Sequence, residues 1–272
     1  MYSTLFGSLA PLIYLAAAAV IFHSLKSDRR PDAGPQRMMA LTLGWLAAAS
    51  HTLAIIGLHS SQNGLDFSFL GALSMVSLIT VLIVLAAALF KPMDKLGLVV
   101  FPLAAAMLLL NLLVPEEARP VRNHSWPMTA HILSSVLAYG FLNIAAIQAV
   151  LLALQDWCLR RRQTGGLLVR SLPPLQTMEA LLFQLIGAGF ALLTVSLVTG
   201  FLFLENMFAQ HLAHKTVLSI LAWIVFAVLL AGRMRHGWRG QIAIRWTLGG
   251  FISLMLAYFG SKMVLEWILN RA

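Results

Sequence analysis

The chain has 272 residues, 60% of them hydrophobic and only 11% charged, with a net charge of +9. Soluble domains carry about 25% charged residues, so this composition excludes a soluble protein and defines an integral membrane protein. The basic residues lie in short loops between apolar spans, a pattern of membrane topology that leaves no nucleic-acid partner to expect. The single cysteine, Cys158, excludes an internal disulfide and any CxxC motif.

The expected architecture is all-α: a polytopic membrane helix bundle of about eight transmembrane helices, in one integral membrane domain over residues 1–272. The spans are expected near 5–23, 39–58, 69–90, 97–114, 128–158, 181–204, 217–232 and 246–269. The first has no basic flank before it and positive charges after it, which reads as a retained span and not a cleaved signal. Its immediate partner is the lipid bilayer. Lys26, Arg29, Arg30, Arg37, Lys91, Lys95, Arg160, Arg161, Arg162, Arg170, Arg233, Arg235, Arg239 and Arg245 all fall on one side. That side is the cytoplasmic one by the positive-inside rule, so both termini are expected outside, in the periplasm.

The second span carries His51, with Gly44, Ala47, Ala48, Ile55 and Leu58 on its face. An imidazole at that depth needs a partner, which is either a ligand or a neighbouring carbonyl or serine. Ser74 and Ser77 of the third span are candidates for hydrogen bonds across helices. Glu116 and Glu117 follow the fourth span as a solvated rim. The fifth span opens at Trp126 and Pro127 and holds His131 about one turn inside, with Ser135, Ala138, Tyr139, Leu142 and Ala146 sharing its face. That small, hydrogen-bonding stripe is expected to meet protein, a ligand or water and not lipid.

Cys158 closes this span as a packing residue. Pro173 and Pro174 start the next helix, with Glu179 in its first turn. The sixth span is rich in glycine, serine and threonine and is expected to be central. His211 and His214 then lie three apart, on one face if the segment is helical, but without carboxylate or cysteine at metal-ligand spacing. Lys262 and Glu266 are placed to pair on the last span. No P-loop, GxSxG, HExxH, EF-hand or dinucleotide fingerprint occurs, and no enzyme is expected.

Several stretches together carry a resemblance: SHTLAIIGL, HILSSVLAYGFL, LPPLQTMEALLFQLIGAGFALLTVSLVTGFLF, HKTVLSILAWIVFAVLL, GWRG and AYFGS. In order and spacing they resemble the cytochrome c assembly membrane proteins, a CcsA/HemX-like family, and within it a branch of bacterial inner-membrane proteins of the same length and span count. The resemblance implies location in the inner (cytoplasmic) membrane and the handling of haem, with cytochrome c maturation or haem-synthesis proteins as partners.

Members of the CcsA type use histidines within spans and at the outer face, beside a tryptophan-rich segment. His51 matches the early intramembrane histidine and His131 an outer-face one. Here ENMFAQHLAHKT replaces the tryptophan-rich segment, Ala231 stands where a second intramembrane histidine is expected, and no histidine follows AYFGSKM. Each histidine pair keeps one member, so the resemblance implies a haem- or porphyrin-binding cavity and not full haem presentation to an apocytochrome. His51 and His131 are expected to line it and to outweigh His23, His59 and His236. If they sit too far apart to share one iron, His124, His211 or His214 is the outer partner of His131. Two other classes stay open: a regulatory or scaffold subunit of the HemX kind, and a small-molecule or ion transporter that has lost haem.

The topology is testable with fusions. A reporter that works only in the periplasm is expected to be active after Ala272 and inactive after Gly166; the reverse pattern inverts every assignment of side.

Overall fold

The computed structural model describes residues 2–26, 34–62, 65–66, 68–91, 93–114, 120–121, 126–162, 172–203 and 213–260. They fold as eight helices long and apolar enough to cross a membrane, grouped in two compact units. The first unit contains α1 (Tyr2–Lys26), α2 (Pro35–Gln62), α3 (Phe69–Ala88) and α4 (Gly97–Leu113). The second contains α5 (Trp126–Arg160), α6 (Leu175–Phe203), α7 (Ala213–His236) and α8 (Gln241–Met255). In each unit every helix packs against the one before and after it, and the fourth closes back on the first. Each is a ring of four helices around its own core. A two-residue antiparallel bridge, Leu65 and Asp66 with Val121 and Pro120, is the one departure from helix among the described residues of the first unit besides its turns.

In the first unit Ser68 caps α3 by accepting the Gly71 N–H at 3.2 Å. A turn at Leu89–Asp94 leads through one short 3-10 segment, Asp94–Leu96, into α4. Arg37, at the start of α2, donates to the Ala88 carbonyl at the end of α3 and lies 3.6 Å from the Asp94 carboxylate. One guanidinium therefore ties three helix ends together. The core is built around Gly44: a Cβ there would stand 2.8 Å from Leu85 and 2.9 Å from Phe101. Absence of a side chain lets α2 approach α3 and α4 closely, the packing that replaces the hydrophobic effect in lipid.

In the second unit α5 and α6 form the most extensive interface. Ala138, Leu142, Ala145 and Ala149 of α5 are fully buried, and Gly189 of α6 receives Leu142. Cys158 is buried on α5 as a packing residue. The α7–α8 turn uses Gly237 and Gly240, whose φ of 66° and 60° lie where a Cβ is strained. It folds Trp238 onto Gly232, and Arg233 donates to the Trp238 carbonyl at 3.2 Å.

Boundaries differ from the apolar windows. Helix α6 begins at Leu175, directly after Pro173 and Pro174, because proline tolerates the start of a helix and the polar first turns still hydrogen-bond. Glu179 lies beyond the first turn of α6, and its Oε1 accepts the Gly240 N–H at 2.7 Å. Its charge therefore sits at the N-terminus of α8 instead of its own helix, a favourable place for a carboxylate. Helix α8 starts at Gln241, five residues earlier than the hydropathy indicates, since Ala243 and Ile244 already face the core. It ends in a π-helical segment, Leu256–Gly260. Lys262 and Glu266 lie outside the described residues, as do Glu116 and Glu117.

Two glycines of α6 give opposite expectations. A Cβ at Gly189 would stand 2.7 Å from Leu142, whereas none at Gly187 meets an atom within 4 Å. Gly187→Ala is expected to stabilise by up to about 1 kcal/mol through helix propensity. Gly189→Ala is expected to destabilise by about 1–3 kcal/mol through overpacking. Thermal unfolding of the purified protein in detergent checks the sign of each.

Candidate functional site

The two histidines singled out by depth belong to different units: His51 to the first, His131 to the second. Their surroundings differ in kind. His51 is fully buried, and so are Tyr14 of α1 and Ser74 of α3 on either side of it. Its Nε2 is 2.9 Å from Ser74 Oγ and its Nδ1 is 3.4 Å from Tyr14 Oη. Both partners are hydroxyls, which donate or accept, so a neutral imidazole is satisfied in either tautomer. The Tyr14 ring meets His51 edge-on at 6.0 Å and stacks on Phe101 at 5.8 Å. His51 thus joins α1, α2 and α3 through hydrogen bonds, which an apolar interior leaves to protein partners. Of the two serines on α3, Ser74 bonds across helices while Ser77 turns back to the Ser74 carbonyl at 2.8 Å.

His131 is half-buried on α5. Its Nδ1 is 2.8 Å from the main-chain carbonyl oxygen of Ser196 on α6. A carbonyl only accepts, so Nδ1 carries the proton and donates it. In the neutral ring the lone pair then belongs to Nε2. Among the described residues Nε2 makes no hydrogen bond. Ser135, one turn along, donates to the His131 carbonyl at 2.6 Å and lies 2.6 Å from Ser196 Oγ. The α5–α6 seam is therefore cross-linked twice at Ser196, by the ring and by Ser135 one turn along. An imidazole held by a carbonyl on one nitrogen with the other available is the arrangement by which proteins orient a metal-binding histidine.

Further along α5, Tyr139 donates to the Leu254 carbonyl at 2.7 Å. Pairing shifts from i+4 to i+5 where α8 becomes π-helical, which leaves main-chain carbonyls at the junction short of a donor, and the tyrosine supplies one. The rings of Tyr139, Tyr258 and Phe259 meet edge-on at 5.0–6.3 Å, and Lys215 Nζ of α7 stands 5.8 Å from the Tyr258 centroid. The opposite end of the unit is tied by polar bonds, Gln241 to Asp156 at 2.6 Å and Gln155 to the Pro173 carbonyl at 3.1 Å.

Of the remaining sequence candidates, His124 and His211 lie outside the described residues. His214 is exposed on the first turn of α7. His23 and His236 are exposed in the last turns of α1 and α7. No group of three or more His, Cys, Asp or Glu side chains is placed to hold a metal ion among the described residues. Sequence reasoning did not find Tyr14, whose hydroxyl stands alone in an apolar run, or the Ser196 carbonyl, which no side chain announces.

Eight membrane-length helices with two interior histidines on small-residue faces define a polytopic membrane protein with polar sites inside its helix bundles. The chain belongs to the cytochrome c assembly protein family, whose match covers residues 39–269. It is similar to the inner membrane protein YpjD of Escherichia coli (strain K12), 32% identical over 271 residues that cover 97% of this chain and 98% of that one. An uncharacterized 28.8 kDa protein of Azospirillum brasilense is 35% identical over 142 residues, 52% of each chain. The cytochrome c biogenesis protein CcsA of Gloeobacter violaceus is 28% identical over 105 residues, 38% of this chain and 31% of that one. No solved structure matches the chain. With its spans and these relatives, it is a multi-pass inner-membrane protein.

Removing His51 strands the Tyr14 and Ser74 hydroxyls and leaves a void. His51→Ala is expected to cost about 2–5 kcal/mol of stability in protein free of any ligand. A lowered unfolding temperature, with reduced membrane abundance, is the expected readout; an unchanged one means the ring is not a tie between helices.

Proposed function

We propose that this is a non-enzymatic inner-membrane protein that handles haem in cytochrome c assembly, with His131 as an axial ligand to the iron. One observation carries the reading: the His131 ring is oriented by the Ser196 carbonyl at 2.8 Å, so its Nε2 lone pair is the one available for a metal. Membership of the cytochrome c assembly family supplies the cargo class. The donor chemistry fits, since neutral imidazole is a common axial ligand of haem iron. When bound, haem supplies an iron that accepts this lone pair. Ser196 holds the tautomer, and Ser135 holds Ser196.

His51 is the second candidate ligand. Both its nitrogens are within reach of hydroxyls of its own unit, so it becomes available to iron only when the Ser74 or Tyr14 hydroxyl gives way. Cytochrome c maturation or haem-synthesis proteins are the partners that such a cargo requires.

The test is a spectrum of the purified full chain, alone and after titration with haemin. A Soret band is expected in the wild type, and His131→Ala is expected to shift or abolish it at unchanged membrane abundance. Ser196→Ala keeps the carbonyl and is expected to retain the band. A wild type that takes up no pigment, or a His131→Ala protein with an unaltered band, overturns the haem reading. Co-purification of a partner protein, with no pigment, supports the scaffold class instead.

A further inference from the structure

We infer that Arg235 and Arg245, with Arg239 between them in sequence, bind the phosphate of an anionic phospholipid at the α7–α8 turn. The site lies wholly in the second unit and needs no haem.

Both helices carry an exposed apolar stripe. On α7, Val217, Leu221, Ile224 and Val228 are exposed at helical spacing, and the stripe continues through Ala231 to Arg235. On α8 it runs through Ile242, Arg245, Gly249, Ile252 and Leu256. Apolar side chains left exposed on membrane-length helices face hydrocarbon. Each stripe holds one guanidinium, and both lie at the same end of the unit, because α7 finishes where α8 begins.

Arg245 lies four residues inside the start of α8, about 6 Å at ~1.5 Å per residue, and the exposed Ile242 stands outside it on the same face. Side chains on a helix tilt toward its N-terminus, so the Arg245 stem runs back past Ile242 toward the membrane surface. Lipid phosphate lies at that level. A guanidinium on a lipid-facing stripe is costly without an anionic partner.

The charges nearby are already engaged with one another. Arg233 donates to the Trp238 carbonyl and packs over the Phe183 ring at 4.7 Å. Asp156 pairs with Arg160 at 3.0 Å and accepts from Gln241, while Glu179 accepts from Gly240. Arg235, Arg239 and Arg245 are exposed and, among the described residues, make no hydrogen bond, ion pair or ring contact.

The turn that carries them is fixed in shape. Gly237 and Gly240 give it two left-handed residues, the Trp238 N–H donates to the Gly232 carbonyl at 3.2 Å, and the Trp238 ring lies 5.5 Å from that of Trp246. Met234, 86% exposed beside Arg235, joins Ile242 as an apolar rim. A cationic centre with such a rim matches an amphiphile: the phosphodiester meets the guanidinium groups and the acyl chains lie along the stripes. A free phosphate uses only the first of these.

The experiment follows the unfolding temperature of detergent-purified full chain titrated with phosphatidylglycerol, with phosphatidylcholine of the same acyl chains, and with glycerol 3-phosphate. A ligand of the folded state raises that temperature as its concentration rises, and phosphatidylglycerol is expected to act at the lowest concentration. Arg235→Gln combined with Arg245→Gln is expected to raise the phosphatidylglycerol concentration required about tenfold or more, the size of one charge-assisted contact. The response to phosphatidylcholine is expected to be unchanged. Arg235→Lys with Arg245→Lys keeps the charge and is expected to keep the preference. Should the double glutamine variant fail to accumulate, Arg245→Gln alone makes the same comparison. Equal action of the two lipids on wild type, or an unaltered preference in the glutamine variant, overturns the inference. So does an equal response to glycerol 3-phosphate, which means a soluble-anion site. A protein retained by wild type and lost from the glutamine variant, with no lipid preference, overturns it as well.

Discussion

Hydrocarbon offers no hydrogen bonds, so every polar group inside a membrane-length helix must find its partner within the protein. That constraint organises both units. Arg37 collects the Ala88 carbonyl and the Asp94 carboxylate, Glu179 caps the start of α8, and Tyr139 reaches the Leu254 carbonyl at the π-helical junction. Each bond joins elements far apart in sequence. Close approach through Gly44 and Gly189 supplies the dispersion contacts between them.

His51 and His131 show how one residue type takes different roles under that constraint. His51 lies between hydroxyls, which satisfy both nitrogens in either tautomer, and the result is a neutral tie among α1, α2 and α3. His131 meets a main-chain carbonyl, which accepts only, and so its tautomer is dictated. A hydroxyl at the position of the Ser196 carbonyl would leave the lone pair on either nitrogen. The carbonyl directs it to Nε2. Chemistry follows from the partner more than from depth, since both rings lie inside apolar helices.

The His131 geometry belongs to the second unit. The same unit carries the aromatic cluster of Tyr139, Tyr258 and Phe259 with Lys215 against it. Its opposite end is polar and structural, with Asp156, Gln241, Glu179 and the glycine turn at Gly237 and Gly240. Bonds at that polar end fix the helices without crowding the end that holds His131.

Much of this was legible in the sequence. Hydrophobic runs of span length, the prolines at 173 and 174 and the small-residue faces of His51 and His131 gave all eight helices and the serine-lined seam of α5, because length and periodicity are local properties. Two things were not. Helix ends at Leu175 and Gln241 extend past the apolar windows, since a helix needs backbone bonds and not hydropathy to continue. Partners were hidden as well: Tyr14 is 37 residues from His51, and the acceptor of His131 is a backbone atom 65 residues away, with no side-chain signature. The sequence by itself determined that two imidazoles would lie inside a membrane and need partners. Only the tertiary structure decided which atoms those are, because a carbonyl or a hydroxyl is brought to a ring by helix packing, and that choice sets which nitrogen holds the proton.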